Sequence, residues 1–211
     1  MPEVLRLKNM KAPLPQERCR DILAEGGLVI LPTDTVYGLA ARADIHEAVE
    51  RVFEVKGREE EKALVVMVSS LKEAAEIAAH EQRESLKRLG SLWPGPLTLV
   101  VRAGEVPWRE SVAPGSENLG IRIPDSPFML ELLQLAGPLA VTSANPAGEN
   151  APTSFTTVDR GLLSKVDLAV DGGEQGSGRP STVAEIRGDG LKILRHGDIG
   201  SEEIYRVMEG G

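Results

Sequence analysis

The chain has 211 residues, 24 Lys plus Arg against 32 Asp plus Glu, and a formal net charge of −8. That length buries one proper core, and a 41% apolar content excludes a disordered chain and a membrane protein. The single cysteine, Cys19, excludes an internal disulfide and, without a Cys/His cluster, argues against a structural zinc; the acidic total argues against whole-surface nucleic-acid binding.

In chain order, Val4–Leu7 reads as a first short strand. Pro15–Glu25 predicts a helix, with Pro in the first turn and Gly26-Gly27 as its stop. Leu28–Leu31 is a continuous apolar run, the pattern of a strand covered on both faces. Asp44 with Glu47 three residues on predicts a capping box opening a helix to about Val55. Leu64–Val68 predicts a buried strand, followed by helices over Ser70–Ala79 and Glu81–Leu92. Strands follow at Leu97–Val101 and Leu119–Ile123, then a helix to about Leu135 capped by Ser126-Pro127. Leu139–Thr142 and Leu168–Val170 read as strands flanking a short helix at Val158–Leu163. After a Gly-rich stretch, Gly172–Gly178, come strands Thr182–Ile186 and Lys192–Leu194 and a last helix, Glu202–Met208. The last two strands are too close for a helical crossover, so the expected fold is α/β with a mixed sheet in one domain spanning 1–211.

The common catalytic signatures are absent. No phosphate-binding Gly-x-x-x-x-Gly-Lys-Ser/Thr loop, no Gly-x-Gly-x-x-Gly after a strand and no nucleophile elbow occurs. His46, His80 and His196 are isolated, without metal-ligand spacing. What remains is a series of polar clusters beside the apolar elements: Pro32–Thr35 after a strand, Lys56-Gly57-Arg58 after a helix with Lys62 before the next strand, Arg122 within a strand, Thr142–Asn145 after one, Ser181-Thr182 after the Gly-rich stretch and Arg195 after a strand. Ligands of open α/β sheets bind at the carboxyl ends of strands, so these clusters can meet in one cleft. Together they supply Arg forks, Lys charges, hydroxyls and glycine backbone, a set suited to a polyphosphate. Taken singly, most are explained by solvated cations, turns and caps. Arg122 is the exception, because an Arg between Ile121 and Ile123 in a strand must pair or line a cavity. Thr33 and Thr35 alternate about Asp34, so an extended segment would turn both hydroxyls the same way, and Tyr37-Gly38 gives a break.

Six stretches in this order resemble the YrdC/Sua5 family: Pro32–Leu39, Lys56-Gly57-Arg58, Leu92–Thr98, Arg122-Ile123-Pro124, Thr142–Asn145 and Ser181-Thr182-Val183. The similarity runs from about Leu14 to Gly197. It implies a YrdC-like twisted mixed open sheet flanked by helices, with a large concave basic cleft. The implied activity is L-threonylcarbamoyladenylate synthesis from L-threonine, bicarbonate and ATP, with pyrophosphate released. The product would serve N6-threonylcarbamoylation of adenosine 37 in tRNAs, through a downstream transferase machinery.

By the same resemblance, Thr35, Arg122, Thr142 and Ser181 hold threonine, with Thr142 between the two substrates. Lys56, Arg58, Lys62, Ser143 and Arg195 line the ATP site, and Lys56 and Arg58 carry the catalytic charge. Thr33, Asp34 and Tyr37 support Thr35. No metal ligand comes from protein side chains; Mg²⁺ arrives with ATP. The expected setting is the cytoplasm, with no membrane and weak tRNA binding. The short form without a Sua5 C-terminal domain is expected. The nucleophile, an N-carboxylate of threonine, is already an anion, which agrees with the missing covalent nucleophiles.

Several positions depart from the family pattern. Glu59-Glu60-Glu61 follow Arg58 where relatives carry Pro and mixed residues, and Ala63 replaces a frequent Pro. Met67 stands where some relatives carry a His that helps at threonine, Ala151 where a nucleotide-contacting Ser is common, and His196 where Pro is frequent. The rival class is an RNA-binding module, tRNA or double-stranded RNA, without turnover. The acidic total and the lack of Lys/Arg-rich tracts weigh against it.

Overall fold

A computed structural model describes residues 2–7, 15–57, 63–188 and 190–210. Its strands are β1 (Glu3–Arg6), β2 (Val29–Leu31), β3 (Gly38–Arg42), β4 (Val65–Met67), β5 (Leu97–Arg102), β6 (Asn118–Arg122), β7 (Leu139–Ser143), β8 (Leu168–Asp171), β9 (Thr182–Arg187) and β10 (Gly190–Arg195). They form one mixed sheet in the order β1-β8-β2-β3-β7-β4-β6-β5-β9-β10. Pairs β1/β8, β2/β8, β4/β6 and β5/β9 run parallel, and the other five run antiparallel.

Side-chain alternation divides the core between the two faces of this sheet. Val29 and Leu31 of β2 join a cluster with Cys19 and Leu23 of α1 (Pro15–Ala24) and Met129, Leu132 and Leu133 of α6 (Pro127–Ala136). Leu28 and Ile30 point the other way. They join Val49, Val52 and Phe53 of α2 (His46–Lys56), Ala74 and Ile77 of α3 (Leu71–Ile77), Leu86 and Leu89 of α4 (Arg83–Leu89), and Ile204 and Met208 of α8 (Ser201–Glu209). Short helices α5 (Arg109–Val112) and α7 (Arg160–Leu163) pack Val112 and Leu162 into the same face. Each fully buried leucine contributes roughly 1.5–3 kcal/mol. The sheet is therefore held from both sides, and its strand ends are free to carry polar side chains.

Local signals placed most elements. Ser126 caps α6 by accepting from the Met129 backbone N–H at 3.4 Å, with Pro127 in the first turn. Three expectations are corrected. The capping box at Asp44 and Glu47 does not form: Ile45 precedes α2, and Asp44 instead accepts two N–H bonds from Arg42, at 2.8 and 2.5 Å. A bidentate Arg outcompetes a backbone N–H for that carboxylate. The stretch Glu81–Leu92 is not one helix, because 3₁₀ turns at His80–Gln82 and Gly90–Leu92 flank α4. Gly38, read as a break, begins β3, which has Gly and Ala where strands usually carry branched side chains. No helix among the described residues is long and apolar enough to cross a membrane.

Candidate active site

The segment joining β2 to β3 is a turn, not the extended segment expected. Thr33 Oγ1 donates to the Val36 carbonyl at 2.6 Å and accepts from the Thr35 and Val36 backbone N–H groups at 3.2 and 3.3 Å. The turn still brings the two hydroxyls together, Thr33 Oγ1 lying 3.2 Å from Thr35 Oγ1. Tyr37 anchors its far end by donating to the Gly173 carbonyl at 2.7 Å and accepting from Gly172 N–H at 3.0 Å. Gly176, in the Gly-rich stretch, packs so tightly here that a Cβ on it would lie 2.4 Å from the carbonyl oxygens of both Asp34 and Thr35. That stretch is therefore part of the wall.

Opposite this turn, β6 ends on Arg122, paired in register with Met67 of β4. Arg122 is 3% exposed. Its Nε donates to the Gly95 carbonyl at 3.1 Å, Nη1 to Thr35 Oγ1 at 3.0 Å and Nη2 to Asp34 Oδ2 at 2.7 Å. Burial holds the guanidinium below its ordinary pKa, and Asp34 pulls it part of the way back. Both alternatives read from the sequence hold: Arg122 pairs, and it also faces a cavity. Asp34 Oδ1 is buried without a hydrogen-bond partner.

The third wall comes from the far edge of the sheet. Parallel pairing of Leu97 with Thr182 sets Ser181 beside Thr98, their hydroxyls 2.8 Å apart. A bulge at Leu194 shifts β10 so that Arg195 pairs with Val183. Arg195 then donates through Nε and Nη2 to the Ser181 carbonyl at 3.1 and 3.0 Å, and through Nη2 to Ser181 Oγ at 3.2 Å. The residue as a whole is exposed, but folding onto Ser181 removes part of its hydration. Its pKa is accordingly below the ordinary value, first through burial and then through repulsion by Arg122.

Lys56 supports the turn that follows β7. It is the last residue of α2, only 2% exposed, and its Nζ donates to the Ser143 carbonyl at 2.6 Å and to the Asn145 carbonyl. Asn145 extends this hold, its Nδ2 donating to the carbonyls of Pro146 and Glu149 at 3.0 and 2.7 Å.

These walls enclose a cavity of about 190 Å³. Thr35, Arg122, Thr142, Ser143, Ser181 and Arg195 all line it, so six of the expected residues from five separate segments meet there. Lys56 lies under the Ser143–Asn145 turn, outside the lining. Arg58 and Lys62 lie outside the described residues. Thr98, 1% exposed, and the apolar Val65 and Val141 also line the cavity, and the sequence reading names none of them as site residues. Thr98 could have been found from β5, where it is the lone hydroxyl in an apolar run. Ala63, Met67 and Ala151, three departures from the family pattern, also line the cavity, and Ala151 joins it to an open depression along residues 148–153.

An open mixed α/β sheet with two guanidinium groups and a row of hydroxyls in one strand-end cavity has the donor set suited to small anionic ligands. The family model for Sua5, YciO and YrdC, described as "Telomere recombination", matches residues 21–197, and the chain belongs to this family. It is 38% identical over 188 residues to a threonylcarbamoyl-AMP synthase of Pyrococcus abyssi, covering 88% of this chain and 55% of that protein. It is 34% identical to a threonylcarbamoyl-AMP synthase of Bacillus subtilis, covering 89% and 54%. The crystal structure of P. abyssi Sua5 complexed with L-threonine superposes with a TM-score of 0.88 at 33% identity, over 98% of this chain and 60% of that one. The chain thus spans about half the length of these curated relatives.

Proposed function

We propose that the chain is an L-threonylcarbamoyladenylate synthase, joining L-threonine, bicarbonate and ATP into L-threonylcarbamoyl-AMP with release of pyrophosphate and water. The observation that carries this reading is the convergence of Arg122, Thr35, Thr142 and Ser181 with Ser143 and Arg195 in one cavity. A relative of known structure that binds L-threonine supports it. Three of the five Arg122 N–H donors are engaged within the protein, and the remaining two suit a carboxylate. Thr142 and Ser181 line the same cavity. Arg195, Ser143 and the Lys56 charge beneath the turn suit the phosphates, with Arg58 and Lys62 expected beside them.

The amine of bound threonine takes up bicarbonate with loss of water to give an N-carboxylate. One oxygen of that group attacks the α-phosphorus of ATP, forming the mixed anhydride as the bond to pyrophosphate breaks. The chain's residues place two anionic reactants together and neutralise charge on the leaving phosphates. Mg²⁺ enters as part of the ATP substrate complex. The mixed anhydride is an activated acyl donor, to be consumed by a transferase acting on the N6 amine of adenosine 37 in tRNA, in the cytoplasm.

Pyrophosphate release by the purified protein tests the reading. Release must require ATP, L-threonine and bicarbonate together; release unaffected by leaving out threonine overturns it.

A further inference from the structure

Two arginines face the same cavity with unequal charge compensation. Arg122 is ion-paired to Asp34 at 2.7 Å, with side-chain exposures of 4% and 9%. Arg195 hydrogen-bonds only to the neutral Ser181 and makes no ion pair among the described residues. Asp198, the other acid whose field reaches Arg122, is exposed and hydrogen-bonded by Ser177 Oγ. The cavity therefore presents one guanidinium with an ion-pair partner and one that has none among the described residues.

A paired guanidinium keeps directional N–H donors but has lost most of its long-range attraction for multiply charged anions. Discrimination between two anions needs such a term against the wrong one as well as contacts to the right one. We propose that Asp34 is a specificity-determining residue: by neutralising Arg122 it reserves that guanidinium for a singly charged carboxylate and leaves phosphates to Arg195. This rests on the reading above that one cavity receives an amino acid and a polyphosphate.

Asp34→Asn isolates the charge. Because Asp34 Oδ1 has no partner, an amide nitrogen placed there loses no hydrogen bond, while the other oxygen still accepts from Arg122. Threonine binding is measured by calorimetry with and without inorganic phosphate, with ionic strength held by chloride. In the wild type, phosphate must weaken ATP binding and leave threonine binding unchanged. In Asp34→Asn, phosphate must compete with threonine, raising its apparent Kd by about tenfold for a single regained charge contact. Asp34→Glu must restore resistance to phosphate; a purely structural role for Asp34 would lower threonine affinity in Asp34→Asn equally with and without phosphate. Phosphate competition with threonine in the wild type overturns the proposal whether or not the variants fold. So does an Asp34→Asn protein that stays resistant. A wild type that binds no threonine removes the proposed function and this proposal together, whereas threonine binding with phosphate competition removes this proposal alone.

Discussion

One wall of the cavity has its charge sunk in the middle of the sheet, and another carries its charge at the sheet's edge. Arg122 ends the interior strand β6 and is locked to Gly95, Thr35 and Asp34. Arg195 ends the edge strand β10, exposed as a residue and tied, among the described residues, only to Ser181. The difference teaches that binding and folding are coupled at the first wall and separable at the second. A buried cation in a fixed network organises its neighbours, so removing it harms both. An exposed cation held by neutral groups can be removed with little cost to the fold.

The strongest way to break the comparison is Arg122→Ala. It leaves the Asp34 carboxylate buried with neither oxygen paired and removes the donor to Thr35. A loss of about 3–5 kcal/mol in denaturant unfolding is expected, together with loss of threonine-dependent pyrophosphate release. Stability equal to the wild type would show that the buried wall is not organised by its arginine. Arg195→Ala is the converse. Unfolding should stay within about 0.5 kcal/mol of the wild type, while pyrophosphate release falls about 10²-fold with the loss in ATP rather than threonine affinity. A large drop in stability would make the two walls alike.

The two walls were not equally legible in the sequence. Arg122 stood out because its neighbours Ile121 and Ile123 place it in an apolar strand, where a charge needs a partner or a cavity. Its partner Asp34 was read only as support for Thr35, because the pairing spans 88 residues and depends on how β6 ends beside the Thr33–Val36 turn. Strand β3 was missed because Gly38-Leu39-Ala40-Ala41-Arg42 has no β-branched residue. Its small side chains reflect close approach to β7: a Cβ on Gly38 would lie 2.8 Å from Val141 Cγ1. Lys56, expected at ATP, donates to carbonyls of the Ser143–Asn145 turn, a contact that no motif announces. Motif spacing gives no direction to a long flexible side chain.

The Gly-rich stretch sharpens the comparison at the level of backbone. Gly176 and Gly188 share a φ of +56°, a left-handed conformation. A Cβ on Gly176 would strike the carbonyls of Asp34 and Thr35, whereas one on Gly188 would meet nothing within 4 Å. Gly188→Ala therefore reports conformational strain alone, roughly 1–2 kcal/mol. Gly176→Ala adds a clash with backbone, about 1–3 kcal/mol further, and should weaken threonine binding where Gly188→Ala does not. Equal effects from the two would detach the stretch from the Arg122 wall.

The smallest expected effect concerns the anchor of that stretch. Tyr37 is fully buried, and burial pushes its phenol up to about 12. In the unfolded chain the same group ionises near its ordinary value of 10. Between those values the unfolded state has shed the proton and the folded state keeps it. The contribution of the neutral phenol is thus complete below pH 10 and declines as pH rises toward 12. Cys19, whose thiol burial also pushes up to about 12 from 9, adds a decline of the same sign beginning lower. Tyr37→Phe removes the bonds to Gly172 and Gly173 and should cost about 1 kcal/mol at neutral pH. Its unfolding free energy should then fall less steeply than the wild type's between pH 10 and 11.5, with only the Cys19 component of the pair left. Chemical denaturation across that range decides it, and parallel profiles for the two proteins would mean that the phenol's proton does not contribute to the hold on Gly172 and Gly173.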